Sequence, residues 1–188
     1  MSTTSASANR KDEGIQPVRL YRALIDQICA QCGIRNPETL YDAATNLQVN
    51  ETSFSLYYGG NIDPFSALVY ADFGALPSER QNAVLLRLLE TNMYMFGVNS
   101  PSFTYNPENQ HVLLMFRVPL VNASADGVLE ILEGIAELAA GWRKDYYLLD
   151  EGQGSSTVRD ASKGTVHRVN ARIAQMVGRG EKNDGAKR

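Results

Sequence analysis

The residues best suited to chemistry in this sequence are Cys29 and Cys32, which form a Cys-x-x-Cys pair. Such a pair can carry out redox chemistry or supply half of a tetrahedral zinc site. A reactive pair usually lies at the N-terminus of a helix, where the helix dipole lowers the thiol pKa. Here the surrounding pattern places the pair at the C-terminal end of a helix, and Cys32 falls on its apolar stripe. We therefore interpret both thiols as packing residues.

Histidines and glycine-rich segments give no stronger indication of catalysis. A closed zinc site needs two further ligands, and the histidines are His111, on a predicted strand, and His167, close to the end of the sequence. The Gly-x-Ser-x-Gly motif of serine hydrolases is absent. Gly152 and Gly154 precede Ser-Ser-Thr, and not the Gly-Lys-Ser of a phosphate-binding loop. We predict that the protein is not an enzyme and uses no metal or cofactor.

The charge of the chain is unevenly distributed. Residues 1–14 have no net charge, residues 15–149 carry −6 from eight basic and fourteen acidic residues, and residues 150–188 carry +3 from eight basic and five acidic residues. Nucleic-acid binding requires a basic face, so the acidic middle argues against it. A length of 188 residues is sufficient for one domain with a substantial core.

The N-terminal segment is polar and rich in Ser, Thr, Ala and Asn, so we expect residues 1–14 to be disordered. It lacks the apolar run of a signal peptide, and no stretch of eighteen apolar residues predicts a membrane span. Two cysteines do not make a disulfide framework. The pattern favours a cytoplasmic protein without stable membrane insertion.

The first half of the chain predicts one helix and three strands. The helix runs from Pro17 to Cys32, and Gly33 ends it. Its apolar stripe consists of Tyr21, Leu24, Ile25, Ile28 and Cys32. Alternating apolar residues then predict strands at 47–49, 53–58 and 65–73. In the third strand Leu68 and Tyr70 oppose an apolar face formed by Phe65, Ala67, Val69, Ala71 and Phe73.

A second helix is predicted over residues 78–92. Pro77 is expected in its first turn and Glu79 near its positive end. Apolar residues fill five of the six positions from 84 to 89, whereas a surface helix needs only one apolar stripe. We therefore expect one side of this helix to face the core and another to face a second copy of the chain. The predicted dimer-interface residues are Val84, Leu85, Leu88, Leu89 and Met93.

The remaining pattern predicts strands at 102–106 and 111–118 and an amphipathic helix from Ala125 to Leu148, with Asn122 or Ser124 as its cap. Its core-facing side contains Val128, Ile131, Leu132, Ile135, Leu138, Ala139 and Trp142. The order of elements is therefore α-β-β-β-α-β-β-α. This order predicts an α+β fold, in which helices pack on a twisted antiparallel sheet.

Residues from Val18 to Leu149 resemble the class I type III secretion chaperones, the CesT-like or Tir-chaperone family. The resemblance is carried by Leu76-Pro77 before the second helix, by the ending Leu88-Leu89-x-x-Asn92, by the hairpin at Asn106-Pro107-Glu108-Asn109 and by Val118-Pro119-Leu120. It implies a dimeric chaperone that binds secreted effectors before export. Components of the secretion apparatus are further candidate partners.

The mode of binding that the resemblance implies is an extended effector segment wrapped around the dimer. Such a segment can add a strand to a sheet edge and insert apolar side chains into pockets. We expect its contacts among apolar residues of the first helix and the sheet, namely Leu20, Leu24, Phe54, Leu56, Leu68 and Tyr70. Two alternatives are a regulatory or structural interaction protein with the same fold and a small-ligand-binding or catalytic α+β domain.

Residues 150–188 extend beyond the chaperone-like domain predicted at 15–149. Glu151 to Lys163 is rich in Gly and Ser, which is typical of a linker. Residues 165–177 then predict a basic amphipathic helix. Its apolar stripe is Val166, Val169, Ile173, Met176 and Val177, and its basic side has Arg168, Arg172 and Arg179. We expect this tail to be an accessory that docks loosely on the body or on a partner.

Overall fold

The computed structural model describes residues 16–35, 44–95 and 101–148. Within these residues the order of elements is the predicted α-β-β-β-α-β-β-α. The elements are α1 Pro17–Gln31, β1 Thr45–Val49, β2 Thr52–Tyr58, β3 Ser66–Ala75, α2 Gln81–Met95, β4 Ser102–Asn106, β5 His111–Pro119 and α3 Ala125–Asp145. The segments predicted to be a disordered N-terminus (1–14) and a linker with a basic tail (150–188) lie outside the described residues.

The five strands form one antiparallel sheet in the order β1-β2-β3-β5-β4. Hairpins join β1 to β2 and β4 to β5, while α2 lies between β3 and β4 in the chain. In the second hairpin the Asn106 and Asn109 side chains accept hydrogen bonds from the backbone N–H groups of Glu108 and His111. These Asx contacts explain why an Asn-Pro-Glu-Asn sequence makes the turn.

The main core lies between one face of the sheet and the helices α1 and α3. Alternate residues of each strand point into it, including Phe54, Val69, Leu114 and Phe116, all at most 4% exposed. The Tyr21 hydroxyl donates to the Leu56 carbonyl oxygen at 3.1 Å, so α1 is joined to β2 by a hydrogen bond as well as by apolar contact. The predicted apolar side of α3, from Val128 to Trp142, is buried throughout.

Helix α3 begins and ends with identifiable caps. Ser124 is the N-cap, and its hydroxyl accepts a hydrogen bond from the Gly127 N–H at 3.2 Å. Tyr146 and Tyr147 both have a φ of 55°, a left-handed conformation that ends the helix three residues before the predicted position. The Tyr146 N–H then bonds the Trp142 carbonyl at 2.8 Å.

Helix α2 begins at Gln81, so the predicted start at residue 78 was wrong. The Leu76 N–H still bonds the Gln110 carbonyl at 3.0 Å, which holds the chain at the end of the sheet before Pro77. Arg80 then adopts a left-handed φ of 59°, and the Val84 N–H bonds its carbonyl oxygen. Pro77 and Glu79 therefore precede the helix instead of occupying its first turn.

Two further details differ from the predicted faces. Phe65 lies before β3 and is 47% exposed, whereas Ala67, Val69, Ala71 and Phe73 are buried as expected. Cys29 is buried, but Cys32 is exposed at the end of α1 and does not belong to its apolar stripe. Only Cys29 is thus a packing residue, because Cys32 is the C-cap that follows the last helical residue, Gln31, and is exposed.

Candidate protein-binding surfaces

Helix α2 exposes a continuous row of large apolar side chains, which we call the α2 surface. Leu85, Leu86, Leu89 and Met93 are 36%, 60%, 65% and 64% exposed. Their spacings of one, three and four residues place them on one side of the helix, along about 12 Å of its axis. Four such side chains in one row exceed the scattered apolar exposure of an ordinary surface. The α2 surface is therefore a candidate protein interface.

The opposite side of α2 faces the core of the same chain. Val84 and Leu88 are 0% and 5% exposed. Both were predicted to contact a second subunit, and the structure instead places them inside the domain. Of the predicted interface residues, Leu85, Leu89 and Met93 lie on the exposed side.

Asn92 attaches α2 to the edge of the sheet. Its side-chain oxygen accepts from the Phe103 N–H at 2.7 Å, and its side-chain nitrogen donates to the Phe103 carbonyl at 3.1 Å. Phe103 lies on the edge strand β4, so the amide of Asn92 satisfies backbone groups that a further strand would otherwise bond. This role explains the Asn of the Leu-Leu-x-x-Asn ending, which the sequence showed only as part of a pattern.

A second apolar surface lies on the side of the sheet that faces away from α1 and α3. It consists of Tyr57, Leu68, Tyr70, Leu113 and Met115, and we call it the outer sheet face. Tyr57 is 42% exposed and the other four are half-buried. The pairing register places Tyr57 opposite Leu68 and Tyr70 opposite Met115. The Tyr57 and Tyr70 rings pack edge to face at 5.3 Å.

Two pairs of polar side chains border this face, one at each end. The His111 Nδ1 lies 2.9 Å from both carboxylate oxygens of Asp72, which also accepts from the Gly74 N–H at 2.8 Å. Arg117 approaches Asp63 at 3.4 Å. His111, which the sequence placed at the end of a strand, therefore takes part in a cross-strand pair. The outer sheet face is an apolar strip with polar ends, a composition found in protein interfaces.

The loop between β2 and β3 adds exposed apolar groups next to this face. Ile62 is 81% exposed and Phe65 is 47% exposed. The loop is tightly hydrogen-bonded, with the Gly59 N–H donating to the Ser66 carbonyl at 2.9 Å. A Cβ at Gly59 would lie 2.2 Å from the Asp63 carbonyl oxygen, so only glycine fits there. The hydrogen-bonded backbone of the loop therefore holds Ile62 in the solvent.

The six residues predicted to contact an effector are divided by the structure. Leu24, Phe54 and Leu56 are at most 3% exposed and belong to the core, because they lie on the inner side of α1 and β2. A ligand cannot reach them without unpacking the domain. Leu68 and Tyr70 lie at the centre of the outer sheet face, and Leu20 is half-buried on α1. Tyr57, Leu113 and Met115 were not among the predicted binding residues, although each alternates with buried residues along its strand.

The described residues contain no group of three His, Cys, Asp or Glu side chains that could hold a metal ion. Burial raises the pKa of the Cys29 thiol, and the neighbouring Cys32 and Asp26 raise it further. That direction is opposite to the change that activates a cysteine. No helix among the described residues is long and apolar enough to cross a membrane.

Comparison with known families supports the predicted order of elements. Residues 23–143, more than half of the chain, match the sequence model of the Tir chaperone protein (CesT) family. The chain belongs to this family. A search of the curated proteins found no match.

Solved structures share the fold at low sequence identity. A chain of the HopA1–SchA chaperone–effector complex is 13% identical, with a TM-score of 0.53 over 70% of this chain and 98% of that chain. A chain of the ExsC–ExsE complex is also 13% identical, with a TM-score of 0.57 over 74% of this chain and 100% of that chain. The α+β architecture predicted from the sequence is therefore confirmed as that of this family's fold.

Proposed function

We propose that this member of the Tir chaperone family is a cytoplasmic chaperone of a type III secretion system. It binds a non-globular segment of one or more secreted effectors and keeps that segment soluble until export. The outer sheet face is the observation that carries this proposal. Its five apolar side chains are exposed or half-buried, and they lie on the opposite side of the sheet from the main core.

The chemistry of the outer sheet face suits an extended polypeptide. Its residues come from three adjacent strands, β2, β3 and β5, so they form a band across the sheet. Apolar side chains of an unfolded segment can bury against this band, with about 25 cal/mol gained per Å² of apolar surface removed from water. The polar ends of the band can accept backbone or side-chain hydrogen bonds from the segment.

The two edges of the sheet differ in their ability to accept a further strand. At β4 the Asn92 side chain already bonds the Phe103 backbone. In the part of the chain that the structure describes, β1 pairs only with β2. We therefore place strand addition, if the effector uses it, at the outer edge of β1.

The α2 surface suits a second copy of the chain. An isologous contact places the same side chains of two subunits against one another, and the row from Leu85 to Met93 is apolar along its whole length. Such a homodimer would present two outer sheet faces to one effector segment. The longer combined surface is consistent with a client that binds in extended form.

A binding experiment with matched variants tests the proposal. The chain would be co-expressed with secreted proteins encoded beside it, and affinity would be measured for any that co-purify. Tyr70→Ser with Met115→Ser removes apolar contact area from the outer sheet face and should weaken binding at least tenfold. Ala140→Ser, at an exposed position of α3, is the control and should leave the affinity unchanged. Equal affinity of all three chains would exclude the outer sheet face.

A further inference from the structure

A chaperone without a bound effector has an apolar binding surface that must not associate with other molecules. The outer sheet face is such a surface, and apolar patches of several hundred Å² favour aggregation when they stay uncovered. The same chain contains an apolar stripe without an assigned place, formed by Val166, Val169, Ile173, Met176 and Val177. The geometry of the domain decides whether this stripe can reach the face.

The chain leaves the described domain next to the edge strand β4. The Tyr147 carbonyl accepts from Arg87 Nε at 3.1 Å, and the Tyr147 ring packs against Phe103 of β4 at 6.4 Å. From β4 the next strands are β5 and β3, which carry Met115 and Tyr70. Neighbouring strands are ~4.8 Å apart, so the centre of the face is about 10 Å from this edge.

The length of the connecting segment is more than sufficient. Residues 149–164 are sixteen residues, and a chain of that length spans at most about 50 Å. The segment can therefore pass round the β4 edge and place residues 165–177 against the outer sheet face. Its composition, rich in Gly and Ser, is typical of a linker.

Charge also favours this contact. Residues 162–180 contain four basic and no acidic residues. Residues 15–149, which include the outer sheet face, carry a net charge of −6, so long-range attraction favours contact between the basic segment and the body of the chain.

From these observations we infer that residues 165–177 dock on the outer sheet face as an internal ligand, which an effector displaces. The displacement rests on the proposed function, whereas the docking does not. A tethered segment has an effective concentration on the order of 1 mM. If the free segment bound with a Kd of about 0.1 mM, the face would be covered about 90% of the time, and the apparent affinity for an effector would fall about tenfold.

Cysteine labelling of the full-length chain tests the docking without any effector. Met115→Cys reports access to the face, in a chain where Cys32→Ser removes the exposed native thiol. Val169→Asp with Ile173→Asp disrupts the apolar stripe of the tail. Gln175→Asp adds a charge on the opposite side of the predicted helix and serves as the matched control.

The reaction of the Met115→Cys reporter with a maleimide should become about tenfold faster when the stripe is disrupted, and it should stay unchanged with Gln175→Asp. A reporter at Ala140→Cys on α3 should react at one rate in all three chains. Adding a synthetic peptide of residues 162–180 should slow labelling of the Met115→Cys reporter in the disrupted chain.

Equal labelling rates of the Met115→Cys reporter with the intact and the disrupted stripe would overturn the inference. So would a rate that depends on protein concentration and not on the tail, because a second copy would then cover the face. Acceleration at Ala140→Cys as well would indicate general loosening and would also count against it. None of these outcomes bears on effector binding, so the proposed function is tested separately.

Discussion

At the scale of single residues, the Asn92 side chain makes hydrogen bonds to the edge strand β4 that a neighbouring strand would otherwise make. Its amide group has an acceptor oxygen and a donor nitrogen, and each bonds the backbone of Phe103. An edge strand exposes both N–H and C=O groups, and one side-chain amide can bond one of each at once. Asn92 therefore fixes the distance between α2 and β4, and with it the orientation of the α2 surface.

We expect Asn92→Ala to lower stability by about 1–3 kcal/mol, because it leaves two part-buried backbone groups without partners. The melting temperature should fall by roughly 5 °C or more. Asn92→Asp keeps the acceptor and loses the donor, so its effect should be intermediate. Asn82→Ala, at an exposed position of the same helix, is the control for helix propensity. Thermal melting of the four chains checks the order, and equal melting of Asn92→Ala and Asn82→Ala would contradict it.

Tyr147 makes the stability of the fold sensitive to alkaline pH. Burial raises the pKa of Tyr147 above its ordinary value of 10, and the Asp145 carboxylate adds to the effect. Its hydroxyl donates to the Leu138 carbonyl at 2.7 Å. Because the folded state holds this proton more tightly than the unfolded state, the stabilisation is complete below pH ~10 and is lost as the pH rises above it.

Tyr147→Phe should therefore have opposite effects in two pH ranges. At pH 7 we expect a loss of about 1 kcal/mol in the free energy of unfolding, because the hydrogen bond from the Tyr147 hydroxyl to the Leu138 carbonyl is removed. Between pH 10 and 11 the wild-type chain should lose up to about 1.4 kcal/mol more than the variant. Urea unfolding at pH 7, 10 and 11 measures both effects. A parallel pH dependence of the two chains would show that Tyr147 does not titrate in this way.

At the scale of elements, α2 shows what a residue pattern can and cannot predict. Five apolar residues among six positions indicated correctly that the helix has more than one apolar side. The pattern could not say which side meets the core, because Val84 and Leu85 are equally apolar. In the structure, Asn92 bonds Phe103 and Arg87 bonds Tyr147, and these hydrogen bonds fix the rotation of the helix. Val84 therefore faces the core and Leu85 faces the solvent.

Strands were easier to predict than helix ends. The alternation of apolar and polar residues predicted β4 at 102–106 and the bounds of β5 to within one residue. In a strand that is buried on one side, buried side chains recur at every second residue. The start of α2 was missed because Arg80 adopts a left-handed φ of 59° directly before the helix, and the apolar pattern does not indicate such a backbone conformation. The inner and outer sides of β2 were also hard to distinguish, so the core residues Phe54 and Leu56 were assigned to the binding surface.

Leu89→Asp tests the role of the α2 surface. Leu89 is 65% exposed, so a charge there should leave the melting temperature of the isolated subunit nearly unchanged. In a dimer the same charge would be buried without a partner, and the dimer dissociation constant should rise more than a hundredfold. Sedimentation at several concentrations measures it, with Asn82→Asp as a control on the same helix. If the wild-type chain stayed monomeric at tens of micromolar, the α2 surface would not be a dimer interface.

At the scale of the whole molecule, the residues that the structure describes, 16–35, 44–95 and 101–148, form one continuous core. Residues from all five strands and the three helices contribute to one cluster of buried side chains. We therefore expect truncation after Asp150 to leave the fold and the dimer intact, with a change of no more than a few degrees in melting temperature. A drop of more than about ten degrees would mean that Val166, Val169 and Ile173 belong to the main core.

The family could be predicted from the sequence because the order of helices and strands along the chain indicates it. Local residue patterns determine that order well. The binding surfaces could be predicted only in part. Leu68 and Tyr70 were identified because they share a strand with a buried face, whereas Met115 joins them only through the pairing of β3 with β5. Contacts between distant strands are decided by register, and a single sequence does not display register.

The central claim is that the chain binds a non-globular segment of another protein on its outer sheet face. Limited proteolysis of a purified complex with a secreted effector, followed by mass spectrometry, tests this most directly. We expect one protease-resistant effector segment of a few tens of residues, which becomes sensitive again with Tyr70→Ser and Met115→Ser and stays resistant with Ala140→Ser. A complex in which that effector region stays fully sensitive to protease, or in which protection is the same with all three chains, would contradict the claim.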